Sequence, residues 1–150
     1  MHRNPSRPLS PHLTIWRWGP HMLVSILHRV TGSGLAVIGS AILVWWLAAA
    51  ASGAEAYATF TGFIGWLTGA AAADNAGAVD WLLYALGVAV GVGLVWAFFQ
   101  HLLSGLRHFV MDAGAGYELR TNRFWSIATI VGALLLTAAM WGWIVFGRGA

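Results

Sequence analysis

The chain contains neither cysteine nor lysine, and only 9% of its 150 residues are charged. Without cysteine there can be no disulfide framework, no thiolate zinc site, no iron–sulfur ligation and no covalent c-type haem attachment, so any metal must be held by His or by a carboxylate. All eight basic residues are Arg, set against five carboxylates, and the net charge is only +3. The pI near 10.2 therefore reflects a few arginines with little to balance them, and it implies no nucleic-acid partner. What the chain has in quantity is apolar surface: 59% of residues are hydrophobic and the mean hydropathy is +0.70. Those values lie far outside the soluble globular range and indicate an integral membrane protein of all-α class.

Three stretches are long enough to cross a bilayer, which takes about 20 predominantly apolar residues. They run approximately over 22–51, 81–111 and 125–146. The preceding arm, 1–21, opens MHRNPSRPLSPHLTIWRWGP, with three Arg and four Pro and no apolar core. It reads as a water-side, cytoplasmic arm rather than a cleavable signal peptide. The stretch AYATFTGFIGWLTGAAAA, 56–73, is also uncharged, but its Gly and Thr content makes it weakly hydrophobic. Phe60, Phe63 and Trp66 suit a short helix lying in the interface. Charge bias agrees with three spans: Arg3, Arg7, Arg17, Arg29, Arg107, Arg120 and Arg123 then share one side, while Arg148, Glu55, Asp74 and Asp80 lie on the other. The positive-inside rule puts the N-terminus on the cytoplasmic or matrix side, and a fourth span would split the Arg clusters.

The polar residues within the spans are concentrated at one depth. On a wheel of about 100° per residue, Gly87, Gly91, Leu94, Phe98, His101, Gly105, His108 and Asp112 fall along one stripe of the second span, and Arg107 points away from it. Gly87 and Gly91 form a GxxxG pair that permits close helix approach. Gly105, one turn from His101, removes bulk beside the imidazole, as a flat macrocycle coordinated there would require. His108 lies about 10 Å nearer the inner surface on the same face, at about 1.5 Å of rise per residue. An imidazole at this depth either ligates a metal or bonds a backbone carbonyl across a helix contact, and the residues alone leave both open. Arg107 and Asp112 suit a helix end, with Arg107 reaching to headgroups and Asp112 paired with His108.

In the first span, SILHRVTGSG brings Ser25, His28, Arg29 and Gly32 to one face. A cation some eight positions inside the boundary costs a few kcal/mol, which calls for a partner, a wet cavity or extension to lipid phosphate. Ser25 and Arg29, one turn apart, have the donors to bind the two carbonyl ends of a quinone head, and the guanidinium would stabilise charge gained on reduction.

RPLSPHLTIWRWGPHMLVSILHRVT, 7–31, and HLLSGLRHFVMDAG, 101–114, resemble the two signature segments of the cytochrome b556 membrane-anchor family of succinate dehydrogenase, respiratory complex II. Ser25, His28, Arg29 and Thr31 match the Ser-x-x-His-Arg-x-Thr element; His101, Gly105, Arg107, His108 and Asp112 match the second. Their order, their helices and the chain length also fit, and the RPLSPHL arm resembles the mitochondrial-type branch. The resemblance implies that His101 is an axial ligand of haem b, shared with a second three-helix anchor subunit that brings the other ligand. It implies ubiquinone binding at Ser25 and Arg29, and places His28, Arg29 and His108 near the haem propionates. FAD and iron–sulfur clusters would reside in partner chains, a flavoprotein and an iron–sulfur subunit on the Arg-rich side of the inner membrane. Electrons would then pass from succinate through those chains to the quinone, and this chain alone would have no complete activity.

Two other classes fit less well. A transporter would need ionisable residues spaced through the membrane, and the third span has none. A self-contained dihaem carrier would need two His pairs; His28 with His101 makes one candidate pair and leaves His108 without a mate.

Overall fold

The computed structural model describes residues 6, 17–69 and 76–147. Helix α1 (Pro20–Gly34) begins at a proline, whose fixed φ suits the first turn and whose missing N–H is no loss there. It continues through a π-helical turn over Leu35–Gly39 into α2 (Ser40–Ala51), so that Pro20–Ala51 forms one span. Gly53, at a φ of 103° that L side chains rarely adopt, reverses the chain into α3 (Ala54–Gly69). Helix α4 (Ala78–Asp112) starts where the Asp80 carboxylate accepts the Gly77 N–H at 2.9 Å, and α5 (Leu119–Phe146) closes the bundle. Three helices, 20–51, 78–112 and 119–146, are long and apolar enough to cross a membrane. The expected spans are thus found, each extended by a few residues at one or both ends.

Helix α4 is central, packing against α1, α3 and α5. Gly132 of α5 faces Leu103 and Trp141 faces Gly91, so α4 and α5 run antiparallel; α1 is antiparallel to α4 as well, with His28 beside Ser104 and Gly39 beside Leu94. Arg17, Arg29, Arg107, Arg120 and Arg123 therefore lie toward one end of the bundle, and Glu55 and Asp80 toward the other. The bundle interior is small and polar rather than oily. Thr31, Gln100, Ser104, Ser126, Thr129 and Thr137 are buried, whereas Val24, Ala49, Ala97 and Ala133 are the buried apolar residues among those described. The hydroxyls return their protons to their own helices, Ser104 to the Gln100 carbonyl at 2.6 Å and Ser126 to that of Asn122 at 2.7 Å, which lets small side chains bring helix backbones close.

Two expectations are modified. The described part of the 56–73 stretch is helical, within α3 (Ala54–Gly69), and it does not stand alone: it folds back on α2 and α4, with Trp45 edge-on to Phe60 at 5.0 Å and Leu67 against Gly87. Phe60, Ile64 and Leu67 are half-buried there, while Tyr57, Phe63 and Trp66 stay exposed. The GxxxG pair, moreover, serves two neighbours, Gly87 taking α3 and Gly91 taking α5. The arm, 1–21, lies mostly outside the described residues, including Arg3, Arg7, His2 and His12.

Candidate functional site

The site is built where α1 crosses the C-terminal third of α4. The imidazoles of His28 and His101 stack face to face, with centroids 4.0 Å apart and planes 7° from parallel, and His108 tilts against the other side of the group, 5.2 Å from His28. Three of the residues singled out by spacing thus meet in one cluster. Of the stripe drawn on α4, Leu94, His101, Gly105 and His108 meet the first span, whereas Phe98 and Asp112 are exposed and Gly87 and Gly91 face other helices.

Hydrogen bonds fix what each ring offers. His101 Nδ1 lies 3.1 Å from the His28 carbonyl, which only accepts, so Nδ1 carries the proton and donates it. Thr31 Oγ1 gives its own proton to the Leu27 carbonyl at 2.7 Å and stands 3.4 Å from the same Nδ1 as a second acceptor. Nε2 of neutral His101 is left with a free lone pair. The carbonyl contact and the ligand role, alternatives on sequence alone, are compatible: an Nδ1–H donated to a backbone carbonyl is what holds a metal-binding imidazole in register. His28 is handled in a similar way. Ser104 Oγ spends its proton on the Gln100 carbonyl and accepts from His28 Nδ1 at 2.7 Å.

The same stacking disposes of one arrangement. Two imidazoles face to face at 4.0 Å cannot clamp a macrocycle between their nitrogens, so His28 and His101 do not form a bis-His pair within this chain. Among the described residues no three His or carboxylate side chains converge on a point where a metal ion could be held. A metal at His101 must bring further ligands with it, as a porphyrin does. An open apolar groove of about 460 Å³ lies further along α4 from the cluster, lined by Leu35, Gly39, Leu94, Phe98 and Phe99 among others, and His101 is not part of its lining. Leu94 and Phe98 belong to the same stripe as His101.

Ser25 and Arg29 lie on the flank of the cluster. Ser25 is half-buried, Arg29 is exposed, and its Nε reaches the Ser25 carbonyl at 3.4 Å. His28 and Gly32 turn toward α4, so the four residues drawn on one face divide between an inward edge and an outward one. Arg107 does not extend to headgroups as expected; its Nη2 donates to Asn122 Oδ1 at 2.6 Å and ties α4 to α5. Gly105, expected beside His101, instead stands by His28, 3.7 Å from its Cε1 to where a Cβ would be, and the glycine against His101 is Gly32.

Sequence reasoning missed Ser104 and Gln100. Both are fully buried, and the Gln100 amide finds no hydrogen-bond partner among the described residues. Two polar residues flanking His101 within an apolar span were the available signal.

Comparison with known proteins gives a consistent picture. Residues 3–140 match the model of the family described as succinate dehydrogenase/fumarate reductase transmembrane subunit. The chain is 36% identical over 132 residues to the succinate dehydrogenase cytochrome b556 subunit of Paracoccus denitrificans, covering 87% of this chain and 86% of that protein. It is 32% identical over 138 residues to the cytochrome b556 subunit of Rickettsia typhi, with 90% of each chain covered. With the mitochondrial cytochrome b560 subunit of Mus musculus it shares 29% identity over 135 residues, 90% of this chain and 70% of the other.

Proposed function

The chain belongs to the succinate dehydrogenase/fumarate reductase transmembrane subunit family, and from that membership we propose that it is the haem b-binding membrane anchor of a succinate:quinone oxidoreductase. The observation that carries the haem assignment is the spent Nδ1 of His101, which leaves Nε2 as an imidazole lone pair in the polar cluster where α1 crosses α4. Bound there, haem b would supply a one-electron store beside the path to the quinone. His101 would hold the iron from one side, and the other axial ligand would come from a second three-helix anchor subunit, since His28 is stacked on His101 rather than opposed to it.

The remaining polar residues have roles in binding and charge. His28, Arg29 and His108 offset the negative propionates on the Arg-rich side of His101. Ser25 and Arg29 donate hydrogen bonds to the carbonyl oxygens of ubiquinone, and the exposed guanidinium favours the head as it becomes more negative. Succinate oxidation, FAD and the iron–sulfur clusters belong to the flavoprotein and iron–sulfur subunits, docked on the Arg-rich end at the cytoplasmic face of the inner membrane. This chain anchors them in the bilayer and lends residues to the quinone site; it has no complete activity on its own.

The test is the optical spectrum of the complex carrying His101→Ala. The b-type haem signal is expected to be lost or grossly altered, because no other side chain at that depth of α4 can coordinate iron. An unchanged low-spin spectrum in His101→Ala, with loss in His28→Ala, would reassign the ligand.

A further inference from the structure

We propose that Gly32 is a positioning residue for the His101 imidazole: its missing side chain is the space that lets α1 close on the ring and hold it by Nδ1. This deepens the reading of His101 as haem ligand and rests on it. A Cβ built on Gly32 would stand 2.8 Å from His101 Cε1, 3.3 Å from Nδ1 and 3.8 Å from Nε2. The first distance is shorter than any ordinary carbon contact, so with a methyl group at position 32 something has to move.

The ring has little freedom to give way. The His28 ring stacks on it at 4.0 Å, and its Nδ1 is committed to the His28 carbonyl at 3.1 Å, with Thr31 Oγ1 at 3.4 Å. All of these contacts come from the same turn of α1 as Gly32. Displacing the ring from position 32 therefore pulls Nδ1 off the carbonyl that fixes its proton, and lets Nε2 swing or exchange its lone pair for a proton. Of the two ring nitrogens Nε2 stands farther from a Cβ at position 32, so the glycine meets the ring at its Cε1–Nδ1 edge.

The requirement is local. A Cβ on Gly34, two residues along the same helix, would meet nothing within 4 Å, and one on Gly105 would meet only His28 Cε1 at an ordinary 3.7 Å. Helix propensity favours alanine over glycine at both 32 and 34, so propensity alone cannot separate them. Gly34→Ala is thus a matched control for Gly32→Ala.

The experiment uses the complete complex, purified in mild detergent, with four forms of this chain: Gly32→Ala, Gly34→Ala, His101→Ala and the double variant Gly32→Ala/His101→Ala. The rate of haem transfer to excess apomyoglobin reports how well the ligand is held, and thermal unfolding reports packing. Gly32→Ala is expected to release haem about tenfold faster, the usual scale for losing a partner that orients a metal-binding imidazole. Gly34→Ala should match the parent. In the His101→Ala background, adding Gly32→Ala should no longer lower the unfolding temperature, because the atom it strikes is gone. If Gly32→Ala fails to assemble, recovery of assembly in the double variant to the level of His101→Ala supports the proposal, and continued failure overturns it. Parent-like haem retention in Gly32→Ala, with haem lost from His101→Ala, overturns the role of Gly32 while leaving the ligand assignment intact. A normal haem spectrum in His101→Ala overturns both.

Discussion

Ser25, Arg29 and Arg107 all interrupt apolar runs, and the fold uses them differently. Arg107 is committed to Asn122 and serves to join α4 to α5. Arg29 is exposed and its Nε makes one long contact, at 3.4 Å, with the Ser25 carbonyl; among the described residues no hydrogen bond takes the Ser25 hydroxyl or the two terminal guanidinium nitrogens. A hydrogen bond to a charged group is worth about 1.5–3 kcal/mol, or roughly ten- to hundredfold in rate if it acts in the transition state. Arg29→Leu is therefore expected to lower quinone reductase turnover by about that factor, and Ser25→Ala by rather less. Succinate oxidation by a soluble artificial dye should persist in both variants, since the flavin lies in another chain. Joint loss of the two activities would mean failed assembly, and an unaltered quinone rate would remove the pair from the site. His101 and His108 were legible as sharing one face from their spacing, whereas His28 joined them only through the family resemblance and as a candidate pair with His101. The contacts of Ser104 and Gly32 were not legible. A helical wheel shows which residues share a face, but the partner of His28 is set by what the opposing helix presents, and a glycine gives no sign of which ring fills its space.

Among the elements, the π-helical turn over Leu35–Gly39 and the docked helix α3 are the two features that patterning did not anticipate. The turn adds a residue to one coil of the first span directly after the Gly32 to Gly34 segment, and so changes the faces that α1 and α2 present. Its sequence, LAVIG, is uniformly apolar, so no periodicity marks it. Helix α3 was legible as a helix too weak to span, whereas its packing depends on Gly87, which reads on sequence only as half of a small-residue pair. A Cβ there would lie 2.7 Å from Leu67 Cγ and 3.0 Å from the Leu67 carbonyl oxygen, and the backbone contact cannot be relieved by a rotamer change. Gly87→Ala is expected to destabilise the α3–α4 contact by about 1–3 kcal/mol, as overpacking does. Gly93→Ala, with nothing within 4 Å, should be neutral or stabilising by up to about 1 kcal/mol through helix propensity. Thermal unfolding of the purified complex, together with protease access to the 52–69 segment, separates the two. Equal behaviour of the two variants would mean that α3 is not held at Gly87.

For the whole molecule, the governing features are the apolar exterior and the asymmetry of charge. Side chains such as Phe98, Phe109, Leu135 and Trp143 are more than half exposed, which is tolerable only against lipid or a second membrane subunit. Antiparallel packing of α1, α4 and α5 gathers the arginines toward one end, and the short connection from Asp112 to Leu119 lies at that end. The positive-inside rule predicts that this end faces the cytoplasm, and on the proposed function the soluble subunits would dock there, within electron-transfer reach of Ser25 and Arg29. The Gly53 turn is then expected to face the opposite side. Single cysteines at Ser6 and Ser52, both exposed, test this in a chain whose parent has no thiol to confuse labelling. In vesicles of defined orientation, an impermeant thiol reagent added to the outer face should modify position 52. Position 6 should react only from the cytoplasmic face, and faster once the soluble subunits have been stripped away, if the proposed orientation and docking face hold. Labelling of position 6 from outside would reverse the orientation. Labelling of both positions from one face would remove the first span itself, and with it the depth assigned to His28 and His101.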